Sequence, residues 1–158
     1  GLATRLRQWR PVGFYTTEIR ERGFRRGFKL VSLTGERSIL SHVDIPGPPR
    51  VGKYGVDIAG FETFLRLMGL PETGGQLVII DEIGKMECFS LEFRRQVADL
   101  LDSEALLIAT IALRGSGFIA QVKRRADCQL YQLTATNRDK LLAEIAESAD
   151  RIFKSETT

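Results

Sequence analysis

Cysteine, histidine and long apolar runs are all scarce in this chain, and each scarcity removes a class of protein. The two cysteines, Cys88 and Cys128, stand far apart and without C-x-x-C spacing, so they make neither a disulfide framework nor a zinc motif. They read instead as small apolar groups in a reducing, cytoplasmic setting. His42 is the only histidine, and imidazole-based metal binding would need partners that the sequence does not supply. No run of eighteen apolar residues occurs, and the opening GLATRLRQWR lacks the apolar centre of a secretory signal. The expectation is a soluble protein without membrane partners.

What is present suits one compact unit spanning residues 1–158, since 43% apolar composition is enough to bury a core. It is expected to be monomeric. The net charge of +3 hides an asymmetry. Residues 4–29 carry eight basic side chains (Arg5, Arg7, Arg10, Arg20, Arg22, Arg25, Arg26 and Lys29) against Glu18 and Glu21, a local charge of +6. Such a cluster can face the phosphates of a nucleotide or of nucleic acid. It serves equally well as a solvated hairpin edge that charge keeps from aggregating.

Periodicity places the elements. Leu2–Gln8 resembles a piece of helix with no start signal. Gly13–Glu18, Gly27–Leu33 and Arg37–Val43 read as three short strands of an antiparallel meander, separated by Arg22-Gly23 and Thr34-Gly35-Glu36. Asp57 caps a helix with Ile58, Phe61, Leu65 and Met68 on its apolar side. After a break at Pro71–Gly75 the pattern changes to buried strands alternating with helices: strand Leu77–Ile80, helix Ser90–Leu101, strand Ala105–Ile111, helix Gly117–Arg125, strand Gln129–Leu133. A last helix carries Leu141, Leu142, Ile145, Ala149, Ile152 and Phe153 and is introduced by Thr136-Asn-Arg-Asp139, which resembles a capping box. That alternation implies right-handed crossovers and a parallel α/β sheet. Trp9 is expected to pack against the sheet.

Two stretches carry chemistry or imitate it. GPPRVGKY, residues 47–54, comes within one residue of the phosphate-loop pattern G-x-x-x-x-G-K-[ST], with Tyr54 in the last place. A phenol cannot take the position of the small hydroxyl that reaches magnesium, and no buried strand leads directly through this stretch into a helix, so it reads as a decoy. LVIIDEIGKMECFS, residues 77–90, is different: four apolar residues deliver Asp81 and Glu82 to the C-terminal edge of a core strand, where open α/β sheets bind ligands. An Asp there can hold magnesium through water and an adjacent Glu can polarise attacking water. The same two acids can also merely cap the following turn.

Taken together, GFYTTEIRERGFRRGFKL (13–30), VGKYGVDI (51–58), LVIIDEIGKMECFS (77–90), ATIALR (109–114) and LTATNRDKL (133–141) resemble the thermostable nucleoside-triphosphatase family, whose animal members are called cancer-related nucleoside-triphosphatases. The resemblance implies a RecA-like P-loop fold: a mainly parallel sheet flanked by helices, with an antiparallel hairpin or meander insertion. It implies magnesium-dependent hydrolysis of ATP, GTP and other nucleoside triphosphates, with nucleotide contact by Leu77, Val78, Ile79, Ile80, Asp81, Glu82, Ile83 and Gly84. It also makes GPPRVGKY no phosphate loop, because family members carry that loop, between a strand and a helix, ahead of the segment matching Gly13–Glu18. This chain shows only the end of that helix, so as it stands it is expected to bind and hydrolyse nucleotide weakly.

Roles follow as expectations. Asp81 is assigned to Mg2+ through water and Glu82 to the attacking water. Lys85 would supply a supporting charge, Thr110 would sense the terminal phosphate, and Arg114 would stabilise transition-state charge. Asn137 and Arg138 would lie near the base. Two alternatives stand beside hydrolysis. One is a nucleic-acid-binding module using the basic hairpin with Trp9, Phe14, Tyr15, Phe24 and Phe28 as stacking groups. The other is a nucleotide kinase that passes the phosphoryl group to an acceptor other than water.

Overall fold

The structure is a computed structural model and describes residues 1–71 and 75–156. The middle of the break read at Pro71–Gly75 lies outside the described residues.

The chain opens with α1 (Leu2–Arg5) and a 3-10 turn (Arg7–Trp9), then runs through strands β1 (Val12–Glu21), β2 (Phe24–Ser32), β3 (Arg37–His42), β4 (Arg50–Val51) and β5 (Tyr54–Val56). Helix α2 (Ile58–Met68) leads to β6 (Leu77–Ile83), a 3-10 turn (Glu87–Phe89), α3 (Leu91–Asp102), β7 (Leu106–Ile111), α4 (Gly117–Lys123) and α5 (Arg138–Glu156). The strands form one sheet in the order β4-β5-β3-β2-β1-β6-β7. β1 joins its two halves, pairing antiparallel with β2 and parallel with β6, so the meander and the parallel β1-β6-β7 part are continuous.

The cap read at Asp57 acts as the sequence implies, accepting a hydrogen bond from the Gly60 N–H; Ser90 likewise accepts from the Phe93 N–H, and the two satisfy donors that the first turns of α2 and α3 leave open. One sheet face is closed by α2 and α3 around Phe14, whose ring meets Phe61 and Phe64 edge-on at 5.8 Å and Phe93 at 6.1 Å. The other face carries Leu6, Leu77, Ala149 and Phe153. Trp9 belongs here, stacked on Phe153 with ring centroids 5.1 Å apart and donating from Nε1 to Asp150 at 2.5 Å, so its principal partner is α5. Gly13 sits where β1 meets β6. A Cβ there would stand 1.8 Å from the Ile79 carbonyl oxygen, and φ is +126°, so only glycine permits this pairing.

GPPRVGKY is a β-hairpin. Val51 pairs with Tyr54 across a turn whose Gly52 has φ +57°, on the outermost strands of the sheet, so its Gly-Lys pair lies in a turn between two antiparallel strands and not between a buried strand and a helix N-terminus. Its lysine, Lys53, lies 5.5 Å from the centre of the Tyr54 ring. This geometry is not that of a phosphate loop and supports the decoy reading. Three of the five basic side chains of the β1–β2 hairpin are ion-paired: Glu18 pairs with Arg20 and Arg25, and Arg26 pairs with Glu21 and with Asp44 beyond β3. His42 faces the same two acids.

Two expectations fail. Gln129–Leu133 is not a third core strand: the segment has no regular structure, and Leu130, Tyr131 and Leu133 are exposed. The reason is pairing. Among the described residues β7 is the edge strand of the sheet and Gln129–Leu133 does not pair with it, so this apolar run, strand-like in composition, makes no ladder and stays in solvent. The capping box at Thr136–Asp139 does not form either. The Asn137 side chain accepts from the Thr134 N–H and donates to the Gln132 carbonyl, each at 2.8 Å, and Thr136 contacts only the Thr134 hydroxyl. The polar side chains are absorbed by the turn before α5, the competition that makes Asn and Thr turn formers.

Candidate active site

Leu77, Val78 and Ile80 are fully buried, because β6 is covered on both faces and flanked by parallel strands on both edges. The strand therefore has no freedom until its C-terminal end, where burial stops at Asp81. There the ladder with β7 is interrupted: Ile80 pairs with Ala109 and Ile83 with Ile111, so Asp81 and Glu82 occupy an irregularity that turns them out of the regular pleat. The peptide joining these two residues is cis. Thr110, on the facing strand, donates from Oγ1 to Asp81 Oδ1 at 2.5 Å. Asp81 and Thr110 are both exposed on this shelf.

Glu82 is half-buried and accepts no hydrogen bond among the described residues. Its carboxyl is held above the ordinary glutamate range, chiefly by loss of solvent and secondarily by the adjacent Asp81 charge. A third acid, not singled out by its local pattern, stands with this pair. Glu87, in the 3-10 turn before α3, is only 4% exposed and stands with its carboxyl beside Glu82. Burial raises it to about 7, against the opposing effect of its own backbone N–H, and the Glu82 charge adds to the rise. A Cβ on Gly84 would stand 2.6 Å from Glu82 Oε1 and 2.8 Å from Glu87 Oε2, so the gap between the two carboxyls does not admit a methyl group. Cys88 packs against the core and is pushed up to about 11, mainly by burial and then by Glu87. The only available signal for Glu87 was its place three residues after Gly84, and no local pattern separates a buried acid in such a turn from a solvated one.

The structure thus brings Asp81, Glu82 and Thr110 to one edge and leaves other predicted site residues outside the group. Leu77, Val78, Ile79, Ile80 and Ile83 serve the core, so any ligand contact by this run falls to Asp81, Glu82 and the backbone at Gly84. Lys85 is exposed on the turn that follows. Arg114 is exposed beyond the end of β7 with no ion pair among the described residues. Asn137 and Arg138 open α5, and neither bonds to the carboxylates. The edge is an open shelf. A hollow of about 660 Å³, lined by Arg7, Arg10, Thr34 and Gln76, lies at the opposite end of the strands, away from the acids.

For a divalent cation, the donors present fit magnesium better than zinc. Asp81 and Thr110 are hard oxygen ligands, and magnesium characteristically takes one or two carboxylates together with waters and substrate phosphates. Among the described residues no group of three His, Cys, Asp or Glu side chains forms a self-contained metal cage. No helix there is long and apolar enough to cross a membrane.

A β-strand that ends in paired acids at the open edge of a helix-covered α/β sheet defines a protein of the P-loop nucleoside-triphosphatase class. Comparison with known proteins makes the assignment specific. A family model described as NTPase matches residues 2–146. The chain is 44% identical over 134 residues to nucleoside-triphosphatase THEP1 of a Thermotoga species, covering 84% of this chain and 77% of the relative. It is 38% identical over 150 residues to the human cancer-related nucleoside-triphosphatase, covering 85% and 79%. Among solved structures, THEP1 of Aquifex aeolicus superposes with a TM-score of 0.80 at 30% identity, covering 91% of this chain and 87% of that one. The solution structure of the human protein gives 0.71 at 33% identity, covering 94% and 91%. The chain belongs to the nucleoside-triphosphatase family.

Proposed function

We propose that this protein hydrolyses nucleoside triphosphates, ATP and GTP among them, to the diphosphate and inorganic phosphate, with Mg2+ as cofactor. The observation that carries the reading is the presentation of Asp81 and Glu82 at the C-terminal edge of β6 with Thr110 donating to Asp81, in a chain of this family. Asp81 and Thr110 would hold the cation through its water ligands, and bound magnesium would neutralise charge on the terminal phosphates. Glu82 acts on water. It accepts a proton as the water oxygen bonds to the terminal phosphorus, and the bond from that phosphorus to the bridging oxygen breaks, leaving the electron pair on the diphosphate. Its raised affinity for protons suits it to this role, since general bases work best when their pKa approaches the operating pH.

Two cationic side chains complete the assignment. Arg114 has no competing partner among the described residues and can meet charge that develops on the transferring phosphoryl group, and exposed Lys85 supports it from the turn after Gly84. Arg138 is assigned to the nucleoside end, together with the backbone at Asn137, whose side chain is already engaged. The test is Glu82→Gln in the full-length protein. Phosphate release should fall about 10²- to 10⁴-fold while nucleotide affinity changes little. A variant with undiminished turnover would show that Glu82 does not serve as the base.

A further inference from the structure

The proposed base has no hydrogen-bond donor of its own among the described residues, yet it stands at an open edge where an unrestrained glutamate samples several rotamers. What restrains it must come from its neighbours. Glu87 is the side chain in place to do so. It is buried, with the polar backbone at Gly84 and at Glu87 itself facing its carboxyl, so packing restrains it. Glu87 Oε2 and Glu82 Oε1 both lie against Gly84, 2.8 and 2.6 Å from the point where a Cβ would stand.

We infer that Glu87 is a positioning residue, a buried acid whose carboxyl steadies Glu82 at the open sheet edge beside the space that a Gly84 side chain would fill. The inference rests on the assignment of Glu82 as the base. Its physical content is a proton held on Glu87. In the protonated form the Glu87 O–H is a donor beside a carboxylate that has no other, and it keeps Glu82 ionised and oriented. In the ionised form two carboxylates oppose each other in a poorly hydrated gap, and Glu82 is driven away from its working position. Gly84 is glycine because any side chain would separate the pair.

The surroundings of Glu87 support a proton there. From β6 it faces Asp81 and Glu82, both acidic. The neighbouring Cys88 stays a neutral thiol. α3 contributes Arg94, which acts on Cys88, and α2 contributes Glu62, which accepts a hydrogen bond from Ser90. Among these groups the negative ones dominate, so nothing in the pocket stabilises an ionised Glu87 apart from the backbone at Gly84 and Glu87.

The experiment compares wild type, Glu87→Gln and Glu87→Ala as full-length proteins, with magnesium and ATP, from pH 6 to pH 9. Gln keeps a neutral donor at every pH, whereas Ala keeps none. Wild-type kcat is expected to fall at least about threefold toward the alkaline end of the range, as Glu87 loses its proton. Glu87→Gln should lose that limb while retaining kcat at the acid end within about threefold, and Glu87→Ala should lower kcat about tenfold or more with KM nearly unchanged. A wild-type pH profile in Glu87→Gln, or wild-type kcat in Glu87→Ala, overturns the inference. A second readout does not involve turnover. The carboxyl carbon of Glu87, followed by NMR without nucleotide or metal, should titrate near 7, and Glu82→Gln should lower its midpoint by about half a unit or more. An unmoved midpoint shows that the two groups do not face each other and overturns the inference. Undiminished turnover in Glu82→Gln instead removes the assignment on which the inference rests, so the two failures are distinct.

Discussion

Glu87 gives this protein a stability that depends on pH in a direction opposite to that of most carboxylates. In an unfolded chain its carboxyl titrates near 4.5, whereas in the folded protein burial moves it to about 7. The folded state therefore keeps a proton that the unfolded state releases across that interval. Because the folded value is the higher one, the stabilisation is full below about pH 4.5, declines as pH rises through 7, and is gone above it. At 1.36 kcal/mol per unit the linked free energy is about 3 kcal/mol, which for a domain of this size corresponds to roughly 6–12 °C in Tm. Glu82 acts in the same direction but is only half-buried, so it leaves a smaller residual slope. Glu18, Glu36, Asp127 and Asp150 are all lowered and act below this window, while Cys88 acts above it. Thermal unfolding of wild type and Glu87→Gln between pH 5 and pH 8, at constant ionic strength and without nucleotide, measures the effect. Wild type should lose stability across the window and the Gln variant should be nearly flat. Parallel curves for the two proteins would refute the burial argument for Glu87.

Other substitutions separate core, site and decoy. Phe14→Ala empties the ring cluster under α2 and α3 and should cost about 3–5 kcal/mol, measured by denaturant unfolding with m unchanged; a loss below 1 kcal/mol would mean that the cluster repacks. Thr110→Val removes the donor to Asp81 and should raise the magnesium concentration needed for half-maximal turnover severalfold, and an unchanged requirement would detach Thr110 from the site. Lys53→Ala, in the hairpin that imitates a phosphate loop, should leave nucleotide affinity within about twofold; a loss of ten-fold or more would reinstate that loop as a phosphate binder.

Local patterns in the chain were enough to place most elements and the centre of the site. Short runs separated by the turn signals Arg22-Gly23 and Thr34-Gly35-Glu36 located β1 to β3, and helical spacing located α2 after the cap Asp57 and α3 from Ser90. The apolar run Leu77–Ile80 ending in two acids identified β6 and its exposed end, because a strand buried on both faces must be apolar until it leaves the core. These properties belong to neighbouring residues, so they are written in consecutive letters. The failures share one cause. Gln129–Leu133 has strand-like composition, but a strand exists only with a partner, and pairing is decided by distant parts of the chain. Thr136 has a capping letter, but its turn competes for the same hydrogen bonds. Glu87 shows the limit most clearly. An acid in a short polar turn reads as solvated until β6, α2 and α3 close around it, and only that closure removes its water, raises its proton affinity and sets it against Glu82. Sequence determined which groups this protein carries and which lie at strand ends; tertiary packing alone determined which of them lose solvent, because desolvation is a property of the assembled surroundings.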